Sequence, residues 1–200
     1  MDKQAFYKSL CETRKIAAIR DPKSLDQFLK SELKIAILLT GNISVIKRYV
    51  DEIKRNDRYV FLHLEKIGGI SCDREGLKFM ANYVKPTGIV STKSSLIQLA
   101  NKVGLLTIQR LFLVDSEALI NGIEQINDSK PDFLEVMPGV IPNVIRDIHQ
   151  QTKIPIITGG LIKDQEQINL ALESGAVAVS TGKVGLWKVD TIQPRELIHF

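Results

Sequence analysis

The chain has 200 residues, of which 44% are hydrophobic and 25% charged, with a formal net charge of +4 and a pI near 9.0. This balance is typical of one globular domain and excludes a chain too polar to build a core. Two cysteines, Cys11 and Cys72, are too few for a disulfide framework or a four-ligand zinc site, so no metal or cofactor is expected. The sequence has no apolar run of roughly 20 residues and no basic-then-apolar start, so we expect a cytoplasmic protein.

Strands and helices are predicted to alternate along the whole chain. A leading helical segment over residues 3–10 precedes eight apolar segments that read as strands, at 16–20, 35–40, 59–65, 88–91, 111–114, 133–137, 155–158 and 177–180. Near-continuous apolar runs are typical of parallel strands covered by helices. Seven helical segments separate the strands, and Ser24-x-x-Gln27 and Asp164-x-x-Gln167 resemble capping boxes at two helix starts.

The spacing of the strands indicates the fold. A pitch of roughly 22 to 29 residues through most of the chain matches repeated βα units and leaves no linker for a second domain. We therefore predict an α/β fold, a single (β/α)8 TIM barrel over residues 1–200 with a short N-terminal helical extension. An open doubly wound sheet is the structural alternative, but eight sequential units favour closure.

The last two strands predict a phosphate site. They end in Thr158-Gly159-Gly160 and Ser180-Thr181-Gly182, and the loops after the last two strands of a (β/α)8 barrel commonly hold phosphate. Glycine lacks Cβ, so its backbone N–H can approach an anion closely. The alternative is that Gly-Gly only turns the chain. The predicted phosphate ligands are Gly159, Gly160, Ser180, Thr181 and Gly182, with Lys93 or Arg20 as the counter-charge.

The other strand ends supply a polar rim that suits a small anion with hydroxyl groups. Glu135 is predicted to bind ligand hydroxyls, together with His63 and Glu65. His63 has the alternative role of a core histidine, and Glu65 that of a salt bridge to Lys66 or another cation of the rim. Two further residues have structural interpretations, Asp115 as a helix cap and Trp187 as a packing residue.

A basic cluster permits a polyanionic partner. One predicted helix and the turn after it contain Lys47, Arg48, Lys54, Arg55 and Arg58, which are the candidate RNA-binding residues. The alternative is a simply solvated helix face. An aromatic RNP run or a KH-type GxxG clamp, which would support RNA binding, is not found in the sequence.

Several motifs spread over nearly the whole chain carry a family resemblance. They are HLEKIGGI at 63–70, GIVSTK at 88–93, EVMPGVIP at 135–142, TGGLI at 158–162, VSTG at 179–182 and Leu186-Trp187. Jointly they resemble the glycerol uptake operon antiterminator regulatory protein family. The resemblance implies a TIM-barrel regulator that senses glycerol 3-phosphate and binds the leader of glycerol-operon messenger RNA, letting transcription pass a terminator.

The resemblance also implies the partners. These are glycerol 3-phosphate as effector and the mRNA leader, with no membrane, and a homo-oligomer remains open. A competing hypothesis is an enzyme, an isomerase, lyase or phosphodiesterase, that acts on a small phosphorylated metabolite, because the barrel hosts many chemistries. A second competitor is a ligand-binding protein without a nucleic-acid role.

Overall fold

The structure is a computed structural model that describes residues 3–188, and its strands and helices alternate as predicted. The eight strands are β1 (Lys15–Ile19), β2 (Ile35–Leu38), β3 (Tyr59–His63), β4 (Gly88–Ser91), β5 (Leu106–Phe112), β6 (Phe133–Met137), β7 (Ile156–Gly159) and β8 (Ala178–Thr181). The α-helices are α1 (Lys3–Thr13), α2 (Pro22–Lys30), α3 (Ile46–Arg55), α4 (Arg74–Phe79), α5 (Ser94–Lys102), α6 (Ser116–Ser129), α7 (Pro142–Gln151) and α8 (Gln165–Glu173). A π-helical turn, Met80–Val84, continues α4, and short 3-10 helices cover Leu64–Lys66 and Val184–Leu186.

The strands form one closed barrel in sequence order. Every neighbouring pair is parallel, and β8 pairs with β1 to close the ring. The predicted (β/α)8 barrel is therefore confirmed and the open sheet is excluded. The predicted domain ran to residue 200, and its last segment, 189–200, lies outside the described residues. Within residues 3–188 we find no helix that is both long and apolar enough to cross a membrane.

The largest boundary error concerns β5, which begins at Leu106 rather than at residue 111. Its first half carries polar side chains that are nevertheless buried, because each has a partner. The Thr107 hydroxyl lies 2.9 Å from Oδ1 of Asn101 and 3.1 Å from Oδ2 of Asp132, which are its acceptors, and Gln109 accepts from the Ser129 hydroxyl. Buried polar side chains cost little free energy when they are hydrogen-bonded, so β5 is a buried strand although its sequence is not continuously apolar.

Helix caps differ from the predicted capping boxes at both sites. The N-cap of α2 is Asp21, which accepts from the Ser24 N–H at 2.7 Å, so Ser24 is the third helical residue rather than the cap. Asp164 is the N-cap of α8 and accepts from the Gln167 N–H at 2.9 Å, but the Gln167 side chain accepts from the Lys163 N–H rather than from that of Asp164, so only the Asp164 half of the predicted capping box is confirmed. Asp115 likewise caps α6 and accepts from the Ala118 N–H at 2.8 Å, in its structural role.

The amino end of the barrel is closed by α1. Phe6 is fully buried, and its ring lies 5.1–5.5 Å from the rings of Tyr59, Phe61 and Phe133. Tyr59 and Phe133 are the first residues of β3 and β6, so the plug fills the end at which the strands begin. The carboxyl ends of the strands are therefore the end at which a ligand can enter, as in other barrels of this type.

Candidate functional site

A cavity of about 790 Å³ opens at the carboxyl ends of the strands. Its lining includes four basic residues, Arg20, Lys66, Arg110 and Lys183, and among its described lining residues none is acidic. Such a concave site with convergent cations suits a small anion. The cavity lies at the strand ends at which the sequence predicts a ligand.

The loops after β7 and β8 form one side of this cavity. Gly160, Ser180, Thr181 and Gly182 all line it, and Gly160 has a φ of +78°, a conformation that favours glycine. Gly159 has a different task, because a Cβ at this position would lie 2.1 Å from Oγ of Ser180. Gly159 therefore lets β7 approach β8 closely, and it is not part of the described lining.

Arg110 is a site residue that the sequence analysis missed. It lies on β5, is 6% exposed and lines the cavity. Its Nε donates to Oε2 of Glu135 at 2.7 Å, whereas its Nη atoms have no acceptor within the described chain. The available signal was a charged residue inside a strand-like segment, but the predicted strand began one residue after it.

Glu135 lies beneath the cavity rather than in its wall. It is fully buried, and its Oε1 accepts from the Ser180 hydroxyl at 2.6 Å while Oε2 accepts from Arg110. A buried carboxylate with two good donors holds both of them in place. Glu135, the predicted hydroxyl-binding residue, therefore links Arg110 to Ser180 and is not part of the described lining of the cavity.

Arg20 is placed to act as the predicted counter-charge. Its side chain lies beside Gly182, with Nε 3.7 Å from the position that a Cβ there would occupy. Its guanidinium has no hydrogen-bonding partner among residues 3–188 and is open to the cavity. Lys93, the other candidate, is exposed at the start of α5 and does not line the described cavity, so the structure favours Arg20.

His63 and Glu65 form a separate cluster at the ends of β3 and β4. Glu65 Oε1 accepts from the Ser91 hydroxyl at 2.6 Å and from the Thr92 N–H at 3.1 Å. The buried Nδ1 of His63 lies 3.2 Å from Oε2 of Glu65, outside hydrogen-bond geometry. Burial raises the pKa of Glu65, but the neighbouring His63 ring and the hydrogen bonds from Ser91 and the backbone outweigh it and lower that pKa to about 2. Neither residue lines the described cavity, and the basic side chain paired with Glu65 in the described part of the chain is His63 rather than Lys66.

The basic cluster on α3 divides into two groups. Arg58 donates to the carbonyls of Phe28, Leu29 and Ser31 at the end of α2, and its guanidinium lies 4.9 Å from the Phe28 ring. Arg58 therefore caps the end of α2, and its role in RNA binding stays a prediction. Exposed or half-exposed side chains remain at Lys47, Arg48, Lys54 and Arg55.

Trp187 has the packing role proposed for it. It is 2% exposed, donates from Nε1 to the Thr181 carbonyl at 2.8 Å and makes an edge contact with Phe28. It thereby supports the β8 strand end from behind. Within residues 3–188 the structure brings together no group of three His, Cys, Asp or Glu side chains that would hold a metal ion.

Comparison with known proteins gives consistent results. Residues 15–187 match the family model described as glycerol-3-phosphate responsive antiterminator. The chain is 36% identical over 172 residues to the uncharacterized protein YgcP of Escherichia coli, covering 86% of this chain and 90% of that one.

Two solved structures extend the comparison. The glycerol uptake operon antiterminator regulatory protein from Listeria monocytogenes has 34% identity and a TM-score of 0.84, over 86% of this chain and 94% of that one. A glycerol uptake operon antiterminator-related protein from Thermotoga maritima has 29% identity and a TM-score of 0.77, over 86% and 96% of the two chains. Aldolases and a lyase at 10–12% identity share the fold alone.

Proposed function

The chain belongs to the glycerol-3-phosphate responsive antiterminator family, and we propose that it binds glycerol 3-phosphate in the barrel cavity and, in that state, the leader of a glycerol-operon mRNA. The family description names a regulator, and the predicted resemblance to this family is thereby confirmed. The proposal locates the protein in the cytoplasm, where such transcripts are made.

The observation that carries the ligand assignment is the free edge of Arg110. Glu135 holds Nε of this guanidinium, so its two Nη atoms are fixed toward the cavity before any ligand arrives. A guanidinium binds two phosphate oxygens at once with charge-assisted hydrogen bonds, and fixing it in advance reduces the entropy lost on binding. Arg20, Gly160 and Gly182 then complete the phosphate site around the cavity wall.

The glycerol hydroxyls are assigned to the hydroxyl side chains of β8. Ser180 donates its proton to Glu135, which leaves the lone pairs of its Oγ as acceptors for a ligand hydroxyl. Thr181 lines the same wall and accepts from the Lys183 N–H at 3.1 Å. Glu135 therefore acts on the ligand through Ser180 and Arg110 rather than by direct contact.

The regulatory step is linkage between the two binding events. Glycerol 3-phosphate binds one conformation or assembly of the protein better, which raises its population, and that form binds RNA better. The change that links the two binding events can be conformational or oligomeric, because the response depends only on the coupling free energy between them.

A calorimetric titration with glycerol 3-phosphate, glycerol and inorganic phosphate tests the ligand assignment. We expect saturable binding that needs both halves of the ester, with phosphorus NMR showing the ligand intact after incubation. Turnover would instead support the enzyme hypothesis, and equal affinity for glycerol alone would contradict a phosphate site.

A matched pair of variants locates the site. Gly160 and Gly104 share a φ of +78°, but Gly104 precedes β5 at the opposite end of the barrel, where a Cβ meets nothing within 4 Å. Gly160→Leu and Gly104→Leu therefore carry similar backbone strain, about 1–2 kcal/mol. We expect only Gly160→Leu to abolish binding of glycerol 3-phosphate, because only its side chain enters the cavity. Equal loss in both variants would contradict the placement.

A further inference from the structure

An exposed aromatic pair lies beside the basic helix α3. Tyr83 is 56% exposed, and its ring stacks on Phe79 with centroids 5.1 Å apart and planes at 30°. The ammonium of Lys47, on α3, lies 5.9 Å from the centre of the Tyr83 ring. The basic helix α3 is therefore flanked by an exposed aromatic ring from another element, which the sequence of α3 alone does not show.

The backbone that carries Tyr83 has an unusual conformation. Tyr83 lies within the π-helical turn Met80–Val84, and π-helical turns occur frequently at functional sites. The turn ends at Lys85, which has a φ of 57° although it is not glycine, and its N–H donates to the Met80 carbonyl at 2.7 Å. Non-glycine residues in this conformation are strained and cluster at functional positions.

The same turn is joined to α3 by a side chain. Lys54 Nζ donates to the Lys85 carbonyl at 3.0 Å, so two exposed lysines lie next to each other at the end of the helix. A groove of about 540 Å³ runs between them and is lined by Asp51, Lys54, Arg55 and Lys85. Among the described residues of this lining the one acid, Asp51, is already paired with Lys47 at 2.6 Å.

We propose that this surface, formed by Lys47, Lys54, Arg55, Tyr83 and Lys85 and here called the α3–π surface, binds a single-stranded segment of RNA. One base stacks on Tyr83 in place of the Lys47 ammonium, which lies over this ring in the free protein, and the flanking phosphates lie in the groove between Lys54, Arg55 and Lys85. The inference rests on the proposed function in that RNA is taken as the partner.

Charge and shape favour single-stranded RNA over other partners. A basic groove that follows the backbone, combined with an aromatic side chain for the bases, is the arrangement by which proteins bind unpaired strands. Duplex RNA hides its bases inside the helix and offers none to Tyr83. A protein partner is the competing occupant, but three cations in one small groove with a single, already paired acid match phosphates better.

The test is fluorescence anisotropy with a labelled single-stranded RNA of about 12 nucleotides and with the same strand annealed to its complement. The titrations use the full chain with glycerol 3-phosphate present, at about 50 mM and 200 mM salt. Tyr83→Ala is compared with Tyr83→Trp, which retains a stacking ring. Ile120→Ala, on α6 with 60% exposure, is the control for loss of an exposed apolar side chain.

The expected pattern separates stacking from charge. Tyr83→Ala weakens single-strand binding about 5- to 150-fold without changing the salt slope, whereas Tyr83→Trp and Ile120→Ala bind as wild type. Lys54→Ala and Lys85→Ala each reduce the salt slope by about 0.7, because each removes one phosphate contact, and exposed Lys102→Ala leaves the slope unchanged.

Two distinct results would overturn the inference. If wild type binds the strand but Tyr83→Ala binds equally well, or if the duplex binds as tightly as the single strand, the α3–π surface is not the site and a protein partner becomes its better occupant. If wild type binds neither RNA at about 50 mM salt with glycerol 3-phosphate present, the proposed RNA function itself fails, and the α3–π surface assignment with it.

Discussion

Replacing Arg110 by methionine removes the guanidinium that neutralises Glu135 inside the barrel. Glu135 is fully buried and would keep only the Ser180 hydroxyl as a donor. Removing one partner of a buried ion pair costs about 3–5 kcal/mol, because the remaining charge is left without compensation. Methionine is flexible and apolar and fills much of the same volume, so lost packing contributes little to the change in the free energy of unfolding. We therefore expect Arg110→Met to lower the free energy of unfolding by that amount.

A second substitution separates stability from ligand binding. Adding Glu135→Gln removes the stranded charge, and replacing a whole buried pair by neutral groups is often close to neutral in stability. The double variant should therefore recover most of the loss. Its affinity for glycerol 3-phosphate should stay about 10- to 150-fold below wild type, since a hydrogen bond to a charged group contributes about 1.5–3 kcal/mol.

Urea denaturation followed by circular dichroism measures the first effect, and calorimetry with glycerol 3-phosphate measures the second. Arg146→Met, at an exposed position on α7, is the control for loss of an arginine and should change neither. The reasoning would be refuted if Arg110→Met were as stable as wild type, or if the double variant bound the ligand with wild-type affinity.

Three further outcomes follow from the packing and the charges. Phe6→Ala should lower the free energy of unfolding by about 3–5 kcal/mol in urea, because it empties the barrel plug, and a loss below about 1 kcal/mol would contradict that role. The pKa of Glu65, about 2 in the fold against 4.5 for the free group, means that its contacts stabilise the fold above about pH 4.5 and are lost as pH falls toward 2. Over that pH range the free energy of unfolding of Glu65→Gln should therefore fall by about 1–2 kcal/mol less than that of wild type, after allowing for partial exposure. An unchanged dependence of the free energy of unfolding on pH would contradict a stabilising role of these contacts. Arg58→Ala should lower the free energy of unfolding by about 2 kcal/mol, because three carbonyls lose their donor, and it should leave the affinity for RNA unchanged. A loss of RNA affinity would show that Arg58 contributes to RNA binding.

The fold could be predicted because its signals are local and repeated. Buried parallel strands must be apolar on both faces, so each appears as a short apolar run, and a regular pitch between runs indicates βα units. The prediction was wrong at β5 because Thr107 and Gln109 are buried with polar partners at Asp132, just before β6, and at Ser129, at the end of α6. Those partners are about 20 residues or more away in sequence, so a local pattern does not contain them.

The sequence predicts which end of the barrel the site residues occupy, but not which side chains contact one another there. Gly160, Ser180, Thr181 and Gly182 follow strands, so the barrel rule alone places them at the same end. The pairing of Arg110 with Glu135 depends on the lateral register of β5 against β6, in which these two residues lie side by side. Tyr83 lies one βα unit away from the lysines of α3, and only tertiary packing brings them together.

Glycerol 3-phosphate and RNA are proposed to bind the same protein molecule with coupled affinities. The most direct measurement is the affinity for glycerol 3-phosphate with and without a saturating transcript of the glycerol-operon leader, and the affinity for that transcript with and without the ligand. Thermodynamic linkage requires the same factor in both directions, and about 5- to 150-fold is typical of such coupling. Equal enhancement in both titrations is the predicted result. Ligand affinity that does not change when the transcript is bound would contradict the account.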